Sequence, residues 1–132
     1  MNAEAQRTTT PSTSAGLALD FDVAVIGGGP SGATAANDLA RAGRKVLLVD
    51  REGRIKPCGG AVPPRLMQDF DVGEEQLLTK VNTARMISPT GRRVDIPIEN
   101  GYVGMVDRKD FDPFLRDRAI KAGADYYEGT FV

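Results

Sequence analysis

The 132-residue sequence contains no histidine, no tryptophan and one cysteine, and only 6% of it is aromatic. Without histidine the chain cannot itself assemble a Ser-His-Asp or Cys-His triad, nor the common zinc sites. The single thiol, Cys58, excludes an internal disulfide and a CxxC redox pair, as suits a reducing compartment. Charge of one sign is lacking too. Seventeen basic residues against eighteen acidic ones give a formal net charge of -1, so no global basic field draws in nucleic acid or anionic lipid. The longest apolar runs, Val23–Ile26 and Val46–Val49, are of strand length, far short of the about 18 residues needed to cross a bilayer. Residues 1–19, with Thr8–Thr10, Pro11 and Ser12–Ser14, offer nothing to bury and read as a disordered leader rather than a secretory signal or a transit peptide.

Order begins at Phe21. Val23–Ile26 is too short for a helix and suits a strand covered on both faces. Three glycines end it, Pro30 opens a segment with Ala33, Ala36, Leu39 and Ala40 at helical spacing, and Gly43 closes that segment. Lys45–Asp50 is a second buried strand, placed parallel to the first by the right-handed crossover rule. Short helical candidates follow at Leu66–Phe70 and Glu74–Leu78. Val81–Ser88 and Arg92–Ile98, joined by Pro89-Thr90-Gly91, read as a hairpin whose second arm Pro97 confines to an edge. Gly101–Val106 adds a further strand candidate. Asp110 can cap a second helix that tolerates Pro113 in its first turn and lines one face with Phe111, Phe114, Leu115, Ala119 and Ala122. Gly123 stops it, and Ala124–Val132 reads as a third parallel strand, after which neither helix nor cap follows. The expected fold is α/β: a Rossmann-like βαβ unit on a parallel sheet with an inserted β-hairpin region, residues 20–132 forming the N-terminal part of a dinucleotide-binding domain that is incomplete here.

The chemistry concentrates in Gly27-Gly28-Gly29-Pro30-Ser31-Gly32, a G-x-G-x-x-G between strand and helix. Gly27 permits the tight turn, Gly29 lets the backbone approach a pyrophosphate, and Gly32 lets the helix pack closely on the strands. The helix N-terminus offers N–H groups and partial positive charge to phosphates. Asp50, 18 residues after Gly32, stands where a carboxylate accepts hydrogen bonds from ribose hydroxyls. A glycine-rich turn alone would be weak; strand, helix, Pro30 and Asp50 in register point to a dinucleotide. FAD and NAD share the ADP moiety and are not separated by this pattern, whereas Asp50 would repel a 2′-phosphate and disfavours NADP at this particular site.

Asp22–Ala36, Leu39–Gly43 and Val46–Arg51 together resemble the opening of flavoproteins of the hydroxybenzoate-hydroxylase type. Within that superfamily Lys56-Pro-Cys-Gly-Gly-Ala-Val62 and Val106–Leu115 with Ala122-Gly-Ala124 resemble the geranylgeranyl reductases of chlorophyll and bacteriochlorophyll synthesis. The resemblance implies FAD as cofactor and NADPH as electron source. Its substrate is a geranylgeranyl group, on a prenyl diphosphate or esterified to a (bacterio)chlorophyll, reduced to phytyl. It further implies a cytoplasmic protein, with peripheral contact to the photosynthetic membrane through parts outside this chain. On the same resemblance the cofactor residues are Gly27, Gly29, Pro30, Ser31, Gly32, Asp50, Arg51, Cys58, Gly59, Gly60 and Arg108. Cys58 and its glycines would lie near the flavin ring, against the alternative of a passive thiol in a solvated basic loop with Arg51, Arg54 and Lys56. Arg108 would lie along the cofactor, against the alternative of a surface charge. No residue stands out as proton donor to an alkene, so no catalytic residue is assigned. A flavin-dependent aromatic hydroxylase shares the first fingerprint, and a non-catalytic nucleotide-binding fragment would share all of it.

Overall fold

A computed structural model describes residues 20–51, 53 and 56–132. The leader read at residues 1–19, and Arg54 of the basic loop, lie outside the described residues. Three strands form a parallel sheet: β1 (Val23–Ile26), β2 (Val46–Asp50) and β8 (Asp125–Glu128), with β2 in the middle. The helix α1 (Pro30–Arg41) connects β1 to β2, so the βαβ unit stands where the glycines and the alanine spacing put it. Ile26 lies beside Val49, and Gly27 donates its N–H to the Val49 carbonyl at 2.7 Å. This register brings the loop after β1 and the end of β2 to the same carboxyl edge, where open α/β sheets bind ligands.

Between β2 and β8 the chain builds an antiparallel layer. The short strand β3 (Ala61–Val62) and β4 (Thr79–Val81) flank β7 (Val103–Met105), while β5 (Thr83–Ile87) and β6 (Arg93–Pro97) form the hairpin. α2 spans Pro64–Asp69, and the expected helix at Glu74–Leu78 is a single 3-10 turn, Glu74–Gln76. α3 (Arg108–Lys121) then leads back into the parallel sheet.

Helices α1 and α3 lie together. The inward stripe of α1 is Ala33, Ala36 and Ala40, and that of α3 is Phe111, Leu115 and Ala119, all buried with Val46 and Leu48 of β2. Small residues on α1 let the bulkier α3 stripe approach, and the spacing of three to four repeats each contact once per turn.

Four sequence expectations are corrected. β1 is not covered on both faces: Ala24 and Ile26 are exposed, Ile26 at 52%, because Val25 turns the other face toward the helices and the core while nothing among the described residues covers the face that Ala24 and Ile26 share. The first hairpin arm does not begin at Val81. Asn82 separates β4, which pairs with β7, from β5, which pairs with β6. The cap of α3 is Asp107, whose carboxylate accepts the Lys109 N–H at 2.8 Å, rather than Asp110. Arg108 is therefore the first helical residue and Pro113 falls in the second turn, where the carbonyl it leaves unbonded, that of exposed Lys109, can turn to water. Finally, β8 ends at Glu128, although the Gly129 N–H still reaches the Asp50 carbonyl at 2.7 Å.

Candidate functional site

The carboxyl edge of the sheet opens into a cleft of about 530 Å³ lined by Ile26, Gly27, Gly29, Pro30, Ser31, Gly32, Asp50, Lys56, Arg108 and Asp112. Glycine is demanded at two of these positions. Gly27 has φ +106°, in the region that favours glycine. A Cβ on Gly32 would stand 1.8 Å from the Gly27 carbonyl oxygen, so only a hydrogen lets the turn close onto the first turn of α1. Gly29 differs. Its backbone is ordinary (φ -71°, ψ -178°), and a Cβ there would meet nothing within 4 Å. The protein itself makes no demand for glycine at Gly29; room for something beside it is the remaining reason.

The helix start adds the electrostatics. Pro30 has no N–H to offer, Ala33 donates to the Gly29 carbonyl at 2.9 Å, and the N–H groups of Ser31 and Gly32 precede the first intrahelical bond. They belong to the positive end of the α1 dipole. Lys56 adds cationic charge to the wall, and Arg108 adds guanidinium donors. Arg108 clasps Asp112 with two bonds, Nε to Oδ1 at 2.6 Å and Nη2 to Oδ2 at 2.7 Å, the side chains 11% and 9% exposed. The pair fixes the guanidinium and neutralises the buried carboxylate, leaving Nη1 outside the clasp.

Asp50 closes the opposite side. Its Oδ2 lies 3.3 Å from Nη1 of Arg116, and the same nitrogen donates to the Gly28 carbonyl at 3.2 Å. Oδ1 stays outside that pair. The cleft thus offers a tight glycine turn, unpaired N–H donors, local positive charge and an acceptor carboxylate. These are the groups that a pyrophosphate and an adenosine ribose require, and an ADP-containing cofactor fits them.

The remaining residues from the sequence do not line this cleft themselves. Arg51 is exposed and borders two smaller hollows, one beside Arg116 and Tyr126 and one beside Gly129–Phe131. Cys58 and Gly59 are exposed on the connection to β3. Gly60 is buried, with φ +72°, and its Cβ position is 2.0 Å from the Val106 carbonyl oxygen. Its carbonyl also accepts the Val106 N–H at 2.8 Å. Glycine at residue 60 is therefore required by the packing of β3 against the strand entering α3. Cys58 is tied to the cleft through Arg108. The Gly60 backbone N–H, then the Arg108 guanidinium, hold its thiol below the ordinary value, with Lys56 adding a smaller attraction.

Sequence reasoning missed Asp112 and Arg116. With Arg108 they follow at steps of four along α3, a charged stripe beside the apolar stripe Phe111, Leu115 and Ala119. That spacing is visible in the sequence, but the partner of Arg116 lies 66 residues away.

The family described as FAD dependent oxidoreductase matches residues 22–88. A protein of Rhodobacter capsulatus named geranylgeranyl diphosphate reductase is 64% identical over 114 residues, 86% of this chain and 29% of that protein. The chloroplastic geranylgeranyl diphosphate reductase of Nicotiana tabacum is 44% identical over 116 residues, covering 83% of this chain and 25% of its own. A solved structure of a geranylgeranyl bacteriochlorophyll reductase-like protein from Thermoplasma acidophilum has a TM-score of 0.72 at 30% identity, over 82% of this chain and 30% of that one. The chain thus spans 25–30% of the length of these relatives.

Proposed function

The chain belongs to the FAD dependent oxidoreductase family, and from that premise we propose that it is the FAD-binding, N-terminal part of a geranylgeranyl reductase. The observation that carries the reading is the 64% identity over 114 residues, 86% of this chain, to the Rhodobacter capsulatus reductase. In this reading the α1 N-terminus, with Gly27, Gly29, Pro30, Ser31 and Gly32, holds the pyrophosphate of FAD. Asp50 accepts the adenosine ribose hydroxyls. Arg108, fixed by Asp112, lies along the cofactor, and the segment Pro57–Gly60 with Cys58 and Gly59 borders the flavin ring. Arg51 extends the ribose end.

When bound, the flavin would supply a hydride, received from NADPH, to one carbon of a prenyl double bond, the other carbon taking a proton from an acid or from water. The chain's own part is to bind and orient. Its dipole and cations neutralise the diphosphate bridge, and the Arg108–Asp112 clasp keeps a guanidinium in place without adding net charge. Asp50 is compatible with a ribose and hostile to a 2′-phosphate, so NADPH would dock elsewhere on the full polypeptide. The substrate is a geranylgeranyl group, on a prenyl diphosphate or a (bacterio)chlorophyll, with the protein in the cytoplasm and peripheral to the photosynthetic membrane. No helix among the described residues is long and apolar enough to cross a membrane.

The test is to give the full-length protein FAD, NADPH and geranylgeranyl diphosphate under anaerobic conditions and follow the product by mass. A gain of one hydrogen pair for each bond reduced supports the reading. Oxygen-dependent hydroxylation of an aromatic substrate, with no alkene reduced, would replace it with the hydroxylase.

A further inference from the structure

We propose that Arg116, seated by Gly28, is a positioning residue of the nucleotide site: it holds the Asp50 carboxylate in place for the ribose hydroxyls. This rests on the assignment of Asp50 to the adenosine ribose.

Four elements meet at Arg116. It projects from α3; its Nη1 bonds the tip of β2 through Asp50 and the loop after β1 through the Gly28 carbonyl, at 3.3 and 3.2 Å. Its guanidinium carbon stands 5.9 Å from the centre of the Tyr126 ring on β8. The Arg116 and Asp50 side chains are 21% and 18% exposed, so the pair is largely withdrawn from solvent and competing water is scarce. A cation fixed between a carbonyl and a ring leaves the carboxylate little freedom to rotate. Because the contact uses Oδ2, Oδ1 stays outside the pair.

Gly28 supplies an independent observation. In the pattern G-x-G-x-x-G its position is unconstrained, and its φ is not among the positive values. Yet a Cβ there would lie 2.9 Å from Cδ of Arg116 and 2.9 Å from both Cβ and Oδ2 of Asp50. Glycine at residue 28 is thus explained by the pair lying against the loop. An alanine would push the two side chains away together.

The experiment measures ADP and 2′-deoxy-ADP binding to the full-length apoprotein by calorimetry, because the ratio of the two affinities reads the ribose contact alone. Wild type should prefer ADP by about tenfold, the worth of one hydrogen bond to a charged acceptor. Asp50→Ala should abolish the preference. Arg116→Ala should reduce it severalfold, Arg116→Lys should restore part of it, and Arg116→Ala added to Asp50→Ala should change the ratio no further. A merely structural Arg116 would weaken both ligands equally and leave the ratio at the wild-type value, which overturns the proposal while the Asp50 assignment stands. An Asp50→Ala protein that still prefers ADP overturns both. Should Arg116→Ala be recovered unfolded, Arg116→Gln, which keeps the stem and removes the cation, carries the same test: a reduced ratio supports the proposal and a wild-type ratio refutes it.

Discussion

Gly29 and Gly32 sit three residues apart at the start of α1, and the geometry assigns them opposite consequences on substitution. At Gly29 a Cβ meets nothing within 4 Å and the backbone is one a valine adopts, so the Gly29→Val apoprotein should melt within about a degree of wild type, as surface changes that disturb nothing do. In the holoprotein the side chain would occupy the space where the pyrophosphate approaches. Displacing that group forfeits its bonds to the Ser31 and Gly32 N–H groups, roughly 1.5–3 kcal/mol each for a charged acceptor, or about 3–6 kcal/mol together. That is a loss of affinity on the order of a hundredfold to ten-thousandfold. At Gly32 even an alanine would be driven into the Gly27 carbonyl oxygen, 1.8 Å from the new carbon, where contact requires about 3 Å. The loop must retreat by over an ångström, loosening the Gly27 to Val49 hydrogen bond, and the apoprotein itself should lose about 1–3 kcal/mol, as overpacked sites do. The assay pairs thermal unfolding of each apoprotein with fluorescence titration of FAD, in the full-length protein. Gly32→Ala should fail both measurements and Gly29→Val only the second. Wild-type FAD affinity in Gly29→Val would refute this placement of the cofactor. An apoprotein of Gly29→Val as unstable as Gly32→Ala would refute the loop geometry.

Asp112→Ala would leave the Arg108 guanidinium largely buried without its partner; a loss of about 3 kcal/mol in denaturant titration is expected, and Asp112→Asn should lose less. A loss under about 0.5 kcal/mol would mean that the clasp is not maintained in solution. Because the Gly60 N–H and Arg108 stabilise the thiolate, Cys58 should ionise below the ordinary thiol value of about 8.5. The pH profile of its alkylation should lie at lower pH than that of a free thiol, falling as pH drops through the lowered value, and should move back upward in Arg108→Gln. A pH profile matching a free thiol would contradict this. Phe111→Ala, which empties a buried position between α1 and α3, should cost about 3–5 kcal/mol by the same titration.

How far the sequence could be read depended on how local each signal was. The βαβ unit was legible because its glycines, Pro30 and the alanine spacing act within one or two turns, and Asp50 was legible because the strand that carries it is a continuous apolar run. The cap of α3 was ambiguous because Asp107 and Asp110 are both competent, and only the backbone shows which carboxylate accepts the helix N–H groups. β3 has two residues, too few to register as a strand until β7 is found beside it. Two-sided burial of β1 could not be judged from its own residues, since it depends on which strands and helices become neighbours. The Arg116–Asp50 contact joins residues far apart in the chain, and no pattern in either segment announces it.

The helix α3 carries its charged stripe and its apolar stripe one residue out of phase, so that Phe111 is followed by Asp112 in the cleft wall and Leu115 by Arg116 against Asp50. On the proposed site, a change at Leu115 or Ala119 should therefore alter cofactor affinity as well. Spontaneous suppressors of a weak Asp50 or Gly28 variant should arise at these buried positions, remote from any ligand, where a change of side-chain volume turns or slides the helix and reseats Arg116.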